Sequence, residues 1–165
     1  MQKVLARFYP SLQFIHQPGT LDGGDVCRAG SHFFIGISGR TDEKGAQQLA
    51  RLLAQVGYTS TFVDIRGTSD TLHLKSGLTY LDDNRLVLTE ALAEREAFRS
   101  YELIRVRSGE AYAANCVRVN DQVLVAAGHP AFESMLRDRG YQTIALAMSE
   151  FQKMDGGLSC LSLRF

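Results

Sequence analysis

The sequence predicts a single α/β domain built from a repeated strand–strand–helix–strand unit. Short apolar runs arranged in pairs around turn residues predict β-hairpins, and longer stretches with apolar residues at helical spacing predict helices. The same plan recurs at intervals of about 40 to 50 residues, which indicates an internal structural repeat. A chain of 165 residues is long enough to bury one substantial core.

A lead-in segment precedes the first repeat. Residues 2–9 carry apolar side chains at helical spacing and predict the end of a helix that Pro10 stops. Residues 12–16 predict a short strand, which the Pro18-Gly19 pair breaks.

Nine further segments predict the strands of three repeats. Each is short, is rich in apolar residues and borders a turn signal. We predict strands at residues 25–28, 32–37, 61–65, 72–81, 85–89, 102–106, 113–119, 122–126 and 142–146. The first two strands of each repeat form a hairpin, and the predicted turns are Ala29-Gly30-Ser31, Asp82-Asp83-Asn84 and Asn120-Asp121.

One helix is predicted between the second and third strands of each repeat. In the first repeat Thr41 or Asp42 caps the helix, and Gly57 stops it. The other two helices are predicted at residues 92–98 and 131–139.

A fourth unit begins at Gly156 and contains a single predicted strand, residues 158–165. A lone terminal strand with an open edge is normally covered in a folded protein. We therefore expect about three and a half repeats of a closed, radially repeated α/β architecture. On this prediction, residues 1–165 are one domain that forms the C-terminal portion of such a structure.

The composition is that of an ordinary globular protein, with 45% hydrophobic and 22% charged residues. Lysine plus arginine and aspartate plus glutamate are balanced at 18 each, so no overall charge attracts the chain to nucleic acid or to anionic lipid. We expect no signal peptide and no membrane helix, because no apolar run has the necessary length.

Three cysteines, Cys27, Cys116 and Cys160, make an odd number without paired spacing. This pattern argues against a disulfide framework and predicts a reducing compartment, the cytoplasm. The cysteines and histidines also lack the close spacing of a zinc site. The Gly23-Gly24 pair precedes a predicted strand, unlike the glycines of a phosphate-binding loop. We therefore expect neither a metal nor a cofactor.

The stretch from Met154 to Cys160 contains the strongest signal for chemistry. It places a thiol directly after Gly156-Gly157, and glycines let a backbone approach a neighbour or ligand closely. A thiolate is a strong nucleophile when a base or a positive charge lowers its pKa. Candidate partners lie in Leu21–Asp25 and in Leu72–Gly77, far away in sequence, as in a triad assembled by folding. The alternative is structural, since a free cysteine is usually a small buried hydrophobe.

Five motifs, in this order, resemble the dimethylarginine dimethylaminohydrolase family of the guanidine-modifying superfamily. They are Gly19-Thr20-Leu21-Asp22-Gly23-Gly24-Asp25, Gly36-Ile37-Ser38-Gly39-Arg40-Thr41, His73-Leu74-Lys75-Ser76-Gly77, Ala113-Ala114-Asn115-Cys116 and Met154-Asp155-Gly156-Gly157-Leu158-Ser159-Cys160. The resemblance implies the pentein fold, an α/β propeller of five strand–strand–helix–strand units, of which about three and a half are present here. It also implies a hydrolase that converts N(omega)-methylated arginine to citrulline and dimethylamine through a covalent thiouronium on cysteine.

The resemblance assigns a role to three catalytic residues. Cys160 matches the nucleophile that attacks the guanidinium carbon. His73, which we expect at the start of a strand, matches the general acid and base, a role that suits imidazole near neutral pH. Asp22 matches the carboxylate that holds the histidine and the guanidinium by charge-assisted hydrogen bonds. Asp25 is expected to be a structural cap of the hairpin.

Three further residues match the segments that bind the amino-acid end of the substrate. Arg40 matches the arginine that pairs with the α-carboxylate, and its structural alternative is an exposed charge at a helix start. Met154 and Asp155 match the segment that meets the α-amino group, mainly through backbone carbonyl and acid. Lys75 stands where arginine deiminases have an acid. Lysine accepts no hydrogen bond from a guanidinium, so methylated arginine is the expected substrate.

Two other functions stay open from the sequence. One is a non-catalytic module that binds guanidino compounds or a partner chain, and the other is arginine deiminase or amidinotransferase activity. The expected ligand is a small guanidino substrate, with no nucleic acid or membrane partner. A homodimer, or an N-terminal complementing segment, is the expected protein partner.

Overall fold

The computed structural model describes residues 2–68 and 71–162. Within these ranges, nine strands form three sheets of three strands each. The strands are β1 Val26–Ala29, β2 His32–Ile37, β3 Thr59–Asp64, β4 Leu78–Tyr80, β5 Arg85–Thr89, β6 Glu102–Val106, β7 Val117–Val119, β8 Gln122–Ala126 and β9 Gln142–Leu146.

All three sheets have the same topology. The first strand pairs antiparallel with the second, and the second pairs parallel with the third. A parallel pair needs a crossover connection, and a helical segment supplies it in each repeat. The predicted strand–strand–helix–strand repeat is therefore confirmed.

The helices are short except in the first and third repeats. The α-helices are α1 Gln2–Leu5, α2 Glu43–Gln55, α3 Leu74–Gly77, α4 Glu90–Ala93, α5 Pro130–Arg137 and α6 Ser149–Gln152. The 3-10 helices are Gly23–Asp25, Glu96–Phe98, Ser108–Ala114 and Leu158–Leu161. None of the helices in the described part of the chain combines the length and the hydropathy that crossing a membrane requires.

Helix α2 shows how local sequence sets its bounds. Asp42 is its N-cap and accepts a hydrogen bond from the backbone N–H of Gly45, which satisfies one of the free donors of the first turn. Gly57 follows the helix with a φ of +84°, a left-handed conformation that glycine adopts without penalty. Both ends agree with the sequence prediction.

Five predicted elements were wrong, either wholly or in their bounds. Residues 12–16 have no regular structure, and the helix predicted at 92–98 is divided between α4 and the 3-10 helix Glu96–Phe98. The strands predicted to begin at residues 72 and 113 begin only at Leu78 and Val117, because helical turns precede them. The residues wrongly predicted as strand include the buried Leu74, Ala113 and Ala114. A short buried apolar run has the same sequence pattern in a helix as in a strand.

The strand predicted at residues 158–165 is the fifth. Leu158–Leu161 form a 3-10 helix, and residues 163–165 lie outside the described residues. The backbone N–H of Ser159 donates to the side chain of Asn115 at 2.9 Å, and that of Cys160 donates to the carbonyl of Gly157 at 3.1 Å. With these donors satisfied, the segment needs no sheet partner.

Successive repeats pack against each other through shared apolar clusters. Phe34 of the first repeat and Phe98 of the second are both fully buried, with ring centroids 5.0 Å apart. A second cluster joins Val87 of the second repeat to Phe132 and Leu136 of the third. This packing brings β1, β4 and β7 around one cavity of about 280 Å³, the radial arrangement that the repeat predicted.

Candidate active site

Asp22 lies at a tight turn in front of β1. It is the N-cap of the 3-10 helix Gly23–Asp25, and its Oδ1 accepts the backbone N–H of Gly24 at 2.8 Å. Its own N–H donates to Thr41 Oγ1 at 2.9 Å. The N–H of Gly24, followed by the charges of His73 and Arg40, lowers the pKa of Asp22, although partial burial opposes this shift.

His73 caps α3 and faces Asp22 across the boundary between the first two repeats. Its Nε2 lies 3.3 Å from Asp22 Oδ2, and its side chain is only 14% exposed. The pair is at ion-pair distance, yet Nε2 makes no hydrogen bond of good geometry within the described residues. The sequence prediction of a strand start at His73 was wrong, since the residue begins a one-turn helix.

Gly24 explains how His73 can lie so close to the Asp22 turn. A Cβ at position 24 would be 2.7 Å from Cγ and Cδ2 of the His73 ring. Real Cβ atoms do not approach other atoms so closely, so glycine is required for this packing.

Cys160 lies on the 3-10 helix Leu158–Leu161, and its residue surface is exposed. Asn115 fixes the start of this helix, because its Oδ1 accepts a hydrogen bond from the backbone N–H of Ser159 at 2.9 Å. A Cβ at Gly157 would be 2.5 Å from Asn115 Nδ2, so the close backbone approach expected of the glycine pair is present at Gly157.

Asp22, His73 and Cys160 all line one cavity of about 370 Å³. The complete lining is Asp22, Gly23, Gly24, His73, Lys75, Ser76, Asn115, Ser159 and Cys160. The three residues predicted to act together are thus gathered from three separate segments of the chain. A thiol, an imidazole and a carboxylate around one space can support nucleophilic attack coupled to proton transfer.

The residues predicted for the amino-acid end lie around this cavity and not within it. Arg40 is half exposed, has its Nη1 3.9 Å from Asp22 Oδ2 and lines a neighbouring cavity of about 350 Å³ together with Arg66. Asp155 lines another neighbouring cavity, of about 310 Å³. The side chain of Met154 points to solvent, with the residue 83% exposed.

Two lining residues received no role from the sequence. Asn115 was noted only as part of a motif. It contacts the 3-10 helix that carries Cys160 through a hydrogen bond from Ser159, which lies 44 residues away in sequence. Arg66 adds a second cation beside Arg40 and forms ion pairs with Asp64 and Glu43. No local pattern distinguished either residue.

The other two cysteines differ from Cys160 in exposure. Cys27 is 5% exposed and Cys116 is 1% exposed. Burial raises the pKa of the Cys27 thiol to about 11 and that of Cys116 to about 12. The prediction that Cys116 belongs to the core is confirmed. Across residues 2–68 and 71–162, no three histidine, cysteine or acidic side chains converge as metal ligands would.

Comparison with known proteins places these features in a family. Residues 11–112 match the family model described as Arginine deiminase. A dimethylarginine dimethylaminohydrolase of Pseudomonas aeruginosa is 38% identical to the whole of this chain over 64% of its own length. A protein of the same name from Streptomyces coelicolor is 32% identical, over 99% of this chain and 62% of its own. The chain therefore spans a little less than two thirds of these relatives.

Solved structures agree. The P. aeruginosa protein, as a mutant complexed with citrulline, matches with a TM-score of 0.93 and 38% identity, over 99% of this chain and 64% of that chain. An amidinotransferase from Microseira wollei matches with a TM-score of 0.75 over 86% of this chain and 46% of that chain, and at 17% identity it shows the shared fold alone. The chain therefore belongs to the family that the arginine deiminase model describes and, within the pentein superfamily, to its dimethylarginine dimethylaminohydrolase branch.

Proposed function

We propose that this protein hydrolyses N(omega)-methylated arginine to citrulline and a methylamine, which is dimethylamine when the substrate is dimethylated. One observation carries the proposal: Asp22, His73 and Cys160 line a single cavity although they are far apart in sequence. The names of the relatives and the citrulline bound to one of them support the same reaction.

In the first step, the Cys160 thiolate attacks the central guanidinium carbon and forms a tetrahedral adduct. Asp22 holds the cationic group by charge-assisted hydrogen bonds and keeps His73 at 3.3 Å. His73 then donates a proton to the departing amine as its C–N bond breaks. A covalent S-alkylthiouronium on Cys160 remains.

In the second step, His73 takes a proton from water, and the resulting hydroxide attacks the same carbon. The C–S bond breaks, the electron pair returns to Cys160 as thiolate, and the proton of the added hydroxyl passes to solvent as the C=O bond of citrulline forms. The sum is one water consumed and one amine released, with no electrons gained or lost. The His73 side chain is 14% exposed, so it is held in place while water can still reach its edge of the cavity.

The amino-acid end of the substrate is proposed to extend towards Arg40 and Asp155. The Arg40 guanidinium matches a carboxylate in shape and charge, and its half-exposed position leaves it accessible. Asp155 and the backbone carbonyl of Met154 are proposed for the α-amino group. Asp155 and Arg40 each line a cavity other than the thiol cavity, which is the one shared by Asp22, His73 and Cys160. A substrate of extended shape is therefore required to reach them.

Lys75 favours a methylated substrate over free arginine. It lines the thiol cavity, in which Asp22 is the single carboxylate among the described lining residues. A free guanidinium offers five N–H donors that a buried site has to satisfy, and lysine is itself a donor without acceptor capacity. Methyl groups remove donors on the nitrogen that leaves, which reduces this mismatch.

A second candidate is a non-catalytic module that binds guanidino compounds or a partner chain without turnover. Binding of a partner chain is favoured by an apolar cavity of about 410 Å³ on the third repeat, where Phe151 is 48% exposed and Leu161 is 56% exposed. Exposed apolar surface of this kind commonly marks a protein interface. We propose that a second copy of the chain or a complementing segment covers this apolar cavity.

The cytoplasm is the proposed compartment, because an exposed thiol nucleophile survives best under reducing conditions.

The test uses the purified protein with asymmetric dimethylarginine. We expect citrulline release, loss of release in Cys160→Ser, and retention in Cys27→Ala, which removes a buried thiol outside the cavity. Mass spectrometry of the quenched reaction should show the adduct on the peptide that contains Cys160. The mass in solution, measured by light scattering, reports whether a second copy is bound.

The outcomes separate the candidates. Citrulline release that persists in Cys160→Ser rules out the proposed nucleophile. Binding of dimethylarginine by calorimetry without citrulline release selects the non-catalytic module.

A further inference from the structure

Asp25 is a fully buried carboxylate, with 0% exposure, that lies between the segments carrying Asp22, Arg40 and His73. It lines none of the cavities that those residues line. It accepts three hydrogen bonds, one from the histidine segment and two from Ser38 and Thr41 on either side of Arg40. Thr41 in turn accepts a hydrogen bond from the Asp22 backbone, so all three segments are connected to this carboxylate. The sequence predicted only a structural cap at this position.

The first hydrogen bond reaches the histidine segment. The backbone N–H of Leu74 donates to Asp25 Oδ1 at 3.0 Å, across 49 residues of sequence. This N–H belongs to the peptide group that joins His73 to Leu74, so the bond fixes the orientation of the backbone from which the imidazole projects. Gly36 leaves the room that this contact needs, since a Cβ there would be 3.1 Å from Asp25 Oδ1.

The second hydrogen bond reaches the Asp22 turn. Thr41 Oγ1 donates to Asp25 Oδ2 at 2.7 Å and accepts the backbone N–H of Asp22 at 2.9 Å. Thr41 is itself completely buried. One hydroxyl therefore connects the Asp25 carboxylate to the backbone of the residue that faces His73.

The third hydrogen bond reaches the arginine segment. Ser38 Oγ donates to Asp25 Oδ2 at 2.7 Å and accepts the backbone N–H groups of Arg40 at 2.9 Å and Thr41 at 3.1 Å. A hydroxyl has one donor and two acceptor sites. All three sites of Ser38 are in use, so its orientation is fully determined.

We propose that Asp25 is a positioning residue for the reaction, which holds His73, Asp22 and Arg40 in one geometry through a single buried carboxylate. The reaction itself rests on the function proposed above, whereas the network rests on the structure alone. A displacement of about 1 Å in a reacting group can reduce the rate about 100-fold. A common anchor limits such displacement, because moving one segment would break a hydrogen bond to the buried Asp25 carboxylate.

Asparagine at position 25 has the shape of aspartate but cannot reproduce this network. If its Oδ1 faces Leu74 N–H, its amide donors face the two hydroxyls, and the Ser38 hydroxyl has no acceptor site left. If the amide is turned, its donors face the donor of Leu74. Either orientation breaks one branch, so Asp25→Asn tests positioning with little change in volume.

The experiment compares Asp25→Asn with two variants that each remove one branch. Thr41→Val removes the branch to Asp22, and Ser38→Ala removes the branch to Arg40. Asp121→Asn, at an exposed hairpin turn, is the matched control for the substitution itself. All are assayed at a temperature at which circular dichroism shows each variant to be folded.

We expect Asp25→Asn to lower kcat/KM about 100-fold through both kcat and KM. Thr41→Val should act mainly on kcat, because Asp22 and His73 serve the chemical step. Ser38→Ala should act mainly on KM, because Arg40 serves binding. The Asp121→Asn control should retain the wild-type constants.

A second measurement does not depend on turnover. In ¹⁵N-histidine NMR spectra, with the His73 signals assigned through His73→Gln, Asp25→Asn should shift those signals and Asp121→Asn should not. Unshifted His73 signals in folded Asp25→Asn overturn the proposal, whether or not the wild type releases citrulline. Equal kcat and KM in all folded variants overturn it as well, since Asp25 would then be a core hydrogen-bond acceptor only. A wild type without activity counts against the proposed function alone.

Discussion

Gly24→Ala tests the packing between the Asp22 turn and His73 directly. The added Cβ would lie 2.7 Å from Cγ and Cδ2 of the imidazole, whereas ordinary contacts begin at 3.4 Å. The ring would have to move by about 0.7 Å to restore an ordinary contact, which is close to the displacement of about 1 Å that can reduce a rate 100-fold. We therefore expect kcat for citrulline release to fall about 10- to 100-fold.

The loss of stability should be small by comparison. Gly24 does not have a left-handed φ, so alanine strains no backbone there. Overpacking of a well-packed core costs about 1–3 kcal/mol, and His73 can move into the adjoining cavity, so we expect the lower end of that range by urea denaturation. Gly109→Ala is the control, because its Cβ would meet nothing within 4 Å. Wild-type kcat in folded Gly24→Ala, with unshifted His73 signals, would refute the reasoning.

Two further predictions concern titration and thiol exposure. Hydrogen bonding from Gly24 N–H, together with His73 and Arg40, lowers the pKa of Asp22 below its ordinary 3.8, so its stabilising contribution is complete above about pH 4 and is lost as the pH falls through the lowered folded-state pKa. The free energy of unfolding of Asp22→Asn should therefore fall less than that of the wild type between about pH 5 and pH 2.5, and parallel curves would contradict this. Iodoacetamide at about pH 8 should label native protein at Cys160, which is exposed, while burial raises the pKa of Cys27 to about 11 and of Cys116 to about 12. Mass spectrometry should find all three labelled after unfolding, and comparable labelling of Cys27 or Cys116 in the native state would refute the assigned burial.

The repeat was predictable because its signals are local. Strands β2, β5, β6, β8 and β9 have the predicted bounds, and each is a short segment rich in apolar residues that lies near a turn signal. The turn at Asn120 has the positive φ that asparagine tolerates, at 53°. In contrast, the segment before β4 was predicted as strand although Leu74–Gly77 is helical. Leu74 and Leu78 are both completely buried, and so short a buried apolar segment shows no alternation of apolar and polar residues that would distinguish a helix from a strand.

The sequence by itself determined the three repeats, the balance of charge and the residue types available for catalysis, since these depend on composition and on neighbours a few residues apart. Only the tertiary structure decided that Asp22, His73 and Cys160 share a cavity and that Cys160 is the exposed thiol. It also showed that Asp25, expected to be a hairpin cap, accepts hydrogen bonds from the histidine segment and from Ser38 and Thr41, and is connected to the Asp22 backbone through Thr41. The physical reason is distance along the chain. The hydrogen bonds from Leu74 to Asp25 and from Ser159 to Asn115 join residues 49 and 44 positions apart. Packing between repeats brings these residues together, and no local sequence pattern encodes that packing.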